Sequence, residues 1–273
     1  MASEVTYSIS HSDCLAESAL GSVQDRSVDL ILADLPYGRT QNTWDYCINL
    51  QALGRHLFRI IKPKGVIALF SQQPFTNKLI DSYESYFRYE LIWIKEKPTQ
   101  FFESNKRPLP LHENIDVFSL EYPTVFYPQK DMGNAYIKKK NKKVQGTNYG
   151  IDAKQKEIIT FNDGNRFPTS LLYFPRDNAN CGVFPTQKPL DLCRWLIRSY
   201  TQKYDVVLDC CMGSGSTIIS ALIENRNGIG YEIDQSTFDL AKQRILMFEQ
   251  YGEDRLKKIP KIAKSQQRID AFI

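Results

Sequence analysis

Apolar positions gather in short runs near the two ends of this chain and lose their periodicity in between. Val28-Asp-Leu-Ile-Leu-Ala33 runs into a Pro-Tyr-Gly turn and predicts a buried parallel strand. Leu50, Leu53, Leu57, Ile60 and Ile61 then recur at helical spacing, predicting a helix that stops before Pro63. Gly65–Phe70 predicts a second strand, Asn77–Phe87 a second helix and Tyr89–Ile94 a third strand, giving β-α-β-α-β. After the middle segment the pattern resumes. A helix is expected over Leu190–Tyr200, entered through Pro189 with Asp191 in its first turn, where a negative charge suits the helix dipole. Val206–Asp209 follows as a strand, Met212-Gly-Ser-Gly-Ser216 as a glycine-rich loop, Thr217–Glu224 as a helix, and Gly228–Glu232 as a strand ending in an acid. Such a strand-loop-helix-strand-acid unit predicts an α/β fold, a doubly wound and mostly parallel sheet that binds a nucleoside cofactor.

Between roughly 99 and 185 Pro, Tyr, Phe, Asn and Lys accumulate, and a structureless loop of that length is improbable inside a compact domain. We therefore expect a core from 1–98 and 186–250, an inserted recognition lobe from 99–185 and a basic tail from 251–273. At 42% hydrophobic and 24% charged residues, the 273-residue chain has an ordinary globular composition. Its net charge of +4 permits a polyanionic partner without demanding one. The six cysteines show no C-x-x-C spacing and the three histidines no H-E-x-x-H pair, so no metal is expected. The first residues carry no charged leader with an apolar run, and no stretch approaches the ~20 apolar residues of a membrane span. A cytoplasmic protein with reduced thiols is expected.

Two acids narrow the cofactor. Asp209 sits just before the loop that carries Met212, Gly213, Gly215 and Thr217, where a carboxylate would repel a pyrophosphate but attract the ammonium of a methionine moiety. The third glycine of a dinucleotide loop is also absent, since Ile218 stands there. Glu232, nineteen positions beyond Gly213, falls close to the offset at which an acid accepts ribose hydroxyls; Asp234 better suits capping of the next helix. These features favour S-adenosylmethionine over a nicotinamide cofactor.

Asp34-Leu35-Pro36-Tyr37 follows a strand directly, at the edge where open α/β sheets hold ligands. On its own it reads as a turn. Beside a methyl donor it suits methylation of an exocyclic base amine, whose lone pair is delocalised and becomes available when two acceptors take its N–H groups. The Asp34 carboxylate is one candidate acceptor. The Leu35 carbonyl is the other, held extended by Pro36, and Tyr37 offers a flat face for a flipped-out base. A sulfonium is an activated donor, so the transfer requires neither metal nor covalent enzyme intermediate.

The coexistence of these segments resembles the DNA amino-methyltransferases of the β class, in which the catalytic motif precedes the cofactor loop. Asp34-Leu-Pro-Tyr37 is similar to that family's D-P-P-Y, Pro185-Thr-Gln-Lys-Pro189 to its P-T-x-K-P, and Asp209-Cys-Cys-Met-Gly-Ser-Gly-Ser-Thr217 to D-P-F-x-G-S-G-T-T. The resemblance implies a Rossmann-like methyltransferase sheet with a target-recognition lobe. It further implies that Asp13 of Ser12-Asp-Cys-Leu15 lies near the cofactor adenine, Thr186 and Lys188 beside its methionine portion, and Trp93 near the flipped base. Leu35, Phe184 and Cys210-Cys211 depart from the family pattern without removing a reactive group; the two cysteines read as small buried apolar residues. A nucleophilic Pro-Cys pair is absent, which excludes methylation at cytosine carbon 5.

The lysine run Lys138, Lys139, Lys140, Lys142 and Lys143 lies among Tyr122, Phe126, Tyr127, Tyr136 and Tyr149. Alone it reads as a solvated loop; inside a methyltransferase it is expected to contact DNA phosphates. Asp34 stands where enzymes acting on cytosine N4 often carry serine, which favours adenine N6, with cytosine N4 and an RNA amine as alternatives. A dehydrogenase or an inactive DNA-binding module are the rival classes. The expected partner is double-stranded DNA, with room for a homodimer and for a cognate restriction endonuclease.

Overall fold

The computed structural model describes residues 4–37, 48–141, 157–177 and 187–253. The chain divides into two compact units, Pro128–Thr169 and the remainder. In the larger unit β1 (Tyr7–His11), β2 (Val28–Asp34), β3 (Ile61–Ser71), β4 (Phe87–Ile94), β5 (His112–Phe118), β10 (Leu171–Tyr173), β11 (Val206–Asp209) and β12 (Asn227–Glu232) form one sheet. Its order is β1-β12-β11-β2-β3-β5-β4-β10, and only β5 runs antiparallel to its neighbours.

The apolar run of β2 is continuous because both faces of the sheet are covered. Val28, Ile31 and Ala33 pack with α1 (Leu50–Ile60) and α2 (Phe75–Ser82), whereas Leu30 and Leu32 pack with α3 (Leu190–Tyr200). Each such leucine or isoleucine contributes roughly 1.5–3 kcal/mol through burial. The cofactor-loop side is closed by α4 (Ser216–Ile223) and α5 (Gln235–Tyr251) around Met212, Ile218, Ala241 and Ile245.

The expected strands and helices are present; two of them have clearly shifted limits and one further strand joins the sheet. Pro63 lies inside β3, where the register against β2 jumps between Val28/Ile61 and Leu30/Val66. The helix expected over Asn77–Phe87 begins at Phe75 and ends at Ser82, because buried Tyr83 turns inward and donates to the Leu50 carbonyl at 2.5 Å. The edge strand β1 was not expected: Tyr-Ser-Ile-Ser-His carries too little apolar character to stand out, and pairing with β12 makes it a strand.

The smaller unit consists of two hairpin-like pairs, β6 (Asp131–Met132) with β9 (Asn165–Arg166) and β7 (Tyr136–Asn141) with β8 (Glu157–Asn162). The 99–185 segment is therefore not of one kind, since it also supplies β5 and β10 to the main sheet.

Candidate functional site

The order of the sheet reverses between β2 and β11: β2 leads through α1 to β3 on one side, and β11 through α4 to β12 on the other. Their carboxyl ends splay at such a reversal and leave a crevice. Asp34 closes β2 and Asp209 closes β11, one on each side of it. A cavity of about 540 Å3 opens there, walled by Asp34, Tyr37, Lys188, Asp209, Gly213 and Glu232 among others.

Strand β5 brings a residue that the other strands could not. Because it runs backwards, its first residues, His112 and Glu113, arrive at the same edge as the carboxyl ends of β2 and β11. Glu113 is buried between two ammonium groups, Lys95 just past β4 and Lys188 just before α3, the latter 3.2 Å away. Lys188 also donates to Oδ2 of Asp34, while the Tyr37 hydroxyl donates to Oδ1 at 2.7 Å. Burial opposes a charge on Lys188, but Asp34 and Glu113 outweigh it and raise the ammonium above its ordinary pKa. Burial likewise opposes the Glu113 carboxylate, and the two lysines overcome it and hold Glu113 below the usual carboxylate range. Burial and the nearby Asp34 and Glu113 push the Tyr37 phenol up, so it donates and does not ionise. The Lys188 ammonium also lies 4.9 Å from the Phe70 ring centre.

The other wall is built from backbone. Gly213 and Gly215 take φ values of +51° and +80°, the left-handed region in which glycine is unstrained. A Cβ on Gly213 would meet no protein atom within 4 Å, so the loop offers bare backbone to the cavity. Glu232 accepts the Gly213 N–H and the Asp234 N–H, each at 2.9 Å, and thereby ties the loop to the end of β12. Asp234 caps α5 through the Thr237 N–H at 2.8 Å, as its position suggested. Arg244 of α5, itself buried, holds Ser214 from behind, with Nη1 at 2.9 Å from Oγ. Asp209 accepts the Cys211 N–H at 3.0 Å and has no lysine or arginine ion pair among the described residues. Burial pushes its pKa up to about 7, with Asp34 and Glu232 adding to the effect. Burial also raises Glu232.

Several expected site residues thus share one cavity: Asp34, Leu35, Pro36, Tyr37, Trp93, Lys188, Asp209, Met212, Gly213, Thr217 and Glu232 all line it. Gly215 stands behind it as the N-cap of α4. The Leu35 side chain is buried in the core, which accounts for leucine at that position. Trp93 is 2% exposed and donates from Nε1 to the Phe174 carbonyl at 2.8 Å, so its ring is a fixed wall. Ser12 and Cys14 line the cavity, while Asp13 between them accepts the N–H of Leu15 in its own turn. Lys138 and Lys139 are exposed on β7 in the smaller unit and Lys140 belongs to the same strand; Lys142, Lys143 and Thr186 lie outside the described residues. Lys95, Glu113 and Arg244 carried no expected role. A lysine ending one strand and a glutamate opening another are the only traces that the sequence offers for the first two.

The wall residues fit a polar, cationic nucleoside-sized ligand. Among the described residues, Ser216 Oγ and Gln187 Oε1 are buried on the cavity wall without a hydrogen-bond partner, and the carboxyl groups of Asp209 and Glu232 line the same cavity. Such groups are costly to bury unless a ligand completes them.

A family model described as DNA methylase matches residues 28–243. The chain is similar to the type II methyltransferase M.HpaI of Haemophilus parainfluenzae, with 27% identity over 243 residues, 84% of this chain and 72% of that protein. In fold it is similar to the PvuII DNA methyltransferase (cytosine-N4-specific), with TM-score 0.60 and 16% identity over 97% of this chain and 92% of that one. It is also similar to M1.HpyAVI in its SAM complex, with TM-score 0.56 and 20% identity over 88% and 100%.

Proposed function

Since the chain belongs to the DNA methylase family of N6/N4 amino-methyltransferases, we propose that it moves a methyl group from S-adenosylmethionine to adenine N6 of a base turned out of double-stranded DNA. The observation that carries this reading is the meeting of Asp34 and Asp209 across one crevice, each carboxylate with a different surrounding.

The cofactor supplies a sulfonium methyl, activated before it reaches the protein. Asp209 would attract the methionine ammonium, and Glu232, Gly213, Met212, Thr217 and Lys188, which line the cavity, would hold the cofactor together with the expected contacts Asp13, Gly215 and Thr186. Asp34 accepts one N–H of the base amine and the Leu35 carbonyl the other, which frees the nitrogen lone pair for in-line attack. Transfer to that nitrogen would form an N–C bond as the sulfur–methyl bond breaks. The methylated nitrogen is then strongly acidic, so the Asp34 carboxylate is base enough to take its surplus proton. Lys188 and Tyr37 hold that carboxylate in place, one partner on each oxygen. Trp93 walls the base pocket, and Lys138, Lys139, Lys140, Lys142 and Lys143 supply phosphate contacts.

Adenine is favoured over cytosine by the carboxylate at residue 34. Duplex DNA treated with the protein and methyl-labelled cofactor, digested and analysed by mass spectrometry, tests this: label in N6-methyladenine is expected. Label in N4-methylcytosine alone would replace adenine with cytosine, and label confined to RNA nucleosides would replace DNA.

A further inference from the structure

Just above the cavity, the turn Phe101–Glu103 presents two phenylalanines to solvent, Phe101 at 74% and Phe102 at 79% exposure. Phe102 and its neighbours Thr99, Gln100, Glu103 and Arg107 form part of the cavity wall itself. Two adjacent bare rings are a costly surface for a monomer to keep, and their place beside the candidate active site singles them out from scattered exposed apolar residues.

This turn is built to hold its shape. Gln100 takes the left-handed conformation at φ +58°. The N–H groups of Glu103 and Lys106 close on the Gln100 and Glu103 carbonyls at 2.9 and 2.8 Å. The Arg107 guanidinium ties Glu103 and Gln100 together, and the Thr99 N–H anchors the stem to Pro110 at 3.0 Å. Lys97 and Lys106, both exposed, lie within five residues of the rings in sequence and bring positive charge to this segment, while Arg107 is paired with Glu103. Apolar rings carried on a fixed turn and bordered by cations match a duplex opened at one step, with an apolar stack inside and phosphates outside.

We infer that Phe101 and Phe102 form a wedge that enters the duplex and fills the space left when the target base turns into the cavity. This rests on the DNA-methylating reading above. Turning a base out costs a few kcal/mol of stacking and pairing, and a ring left in the stack recovers part of it. Wedge residues therefore matter most where the target is paired, and least where pairing is already lost.

The test uses two oligonucleotide duplexes containing a site identified by sequencing DNA that the wild-type protein has methylated. In one the target base is paired; in the other it faces an abasic position. Phe102→Ala and the double variant Phe101→Ala/Phe102→Ala are expected to lose roughly tenfold or more in kcat/KM on the paired duplex and to recover to within about threefold of wild type on the abasic one. Fluorescence of 2-aminopurine at the target, rising on binding of wild type and little with the variants, reports the same step without chemistry. Equal losses on both duplexes would overturn the wedge and make the rings part of the base pocket, and unchanged activity on both would also overturn it. A wild-type protein inactive on every DNA would instead overturn the methylating reading, with the wedge falling alongside it.

Discussion

The two walls of the crevice handle buried negative charge in opposite ways. On the β2 side Asp34 and Glu113 face Lys188 and Lys95, two carboxylates and two ammonium groups, so the charge is balanced before any ligand arrives. On the β11–β12 side Asp209 and Glu232 have backbone N–H partners but no lysine or arginine ion pair among the described residues, and burial raises both. A wall that carries its own counter-charges is pre-organised. One that lacks them gains most from a ligand bringing a cation. The same crevice thus separates a fixed acceptor for the reacting amine from a receptor for a positively charged donor.

The sharpest way to break this contrast is to remove the acceptor from the balanced wall. Asp34→Ala is expected to lower kcat by about 10²–10³-fold, the usual consequence of deleting one pre-organised group. Cofactor affinity measured by calorimetry should stay within about threefold, because Asp34 belongs to the other wall. A parallel loss of cofactor binding would mean that the walls do not work separately.

Glu113→Gln tests the balance itself. Removing one partner of a buried ion network leaves the lysines short of counter-charge and should cost about 3 kcal/mol in denaturant unfolding. The pH dependence has a definite sign. Glu113 is held below its ordinary value, so its contribution is present above the unfolded carboxylate pKa of about 4.3 and is lost as pH falls through the lower folded value. The wild-type protein should therefore lose more stability than the variant in that acid window.

The unbalanced wall is tested by Asp209→Asn, expected to weaken cofactor binding about 10–100-fold, the range for losing a charged hydrogen-bond partner. With the Asp209 pKa near 7, the carboxyl is protonated below that pH, and an ammonium ligand prefers the anion. Wild-type affinity should fall by about fivefold from pH 7 to pH 6, and the asparagine variant should lack that dependence. A dependence of equal size in both proteins would assign the titration to another group.

Gly213→Ala should have the smallest effect on folding. The new methyl meets no protein atom but must adopt φ +51°, a strain of about 1 kcal/mol. Its larger consequence is expected in cofactor affinity, since the methyl points where the loop offers bare backbone. Thermal shifts with and without cofactor separate the two.

The chemistry-bearing segments that were readable in advance are those whose local pattern is self-sufficient. The run Val28–Ala33 and the loop Met212–Ser216 announce a strand and a turn in any context, and Asp34, Asp209 and Glu232 follow from their places at strand ends. Glu113 was not readable in this way. Its strand has mixed polarity, and its arrival at the site depends on β5 running against the rest of the sheet. Arg244 was hidden for a related reason, as one charged residue within a helix whose burial arises only when α5 packs behind Ser214.

By itself, the sequence determined the alternation of strands and helices, the two acids that close neighbouring strands and the family to which their combination belongs, because periodicity, turn chemistry and spacing are local properties. Tertiary structure alone decided which carboxylate receives a lysine and which is left for a ligand. Asp34 and Lys188 are separated by 154 positions and Lys95 and Glu113 by 18, and charge balance in a buried crevice depends on distances through space that no local pattern encodes.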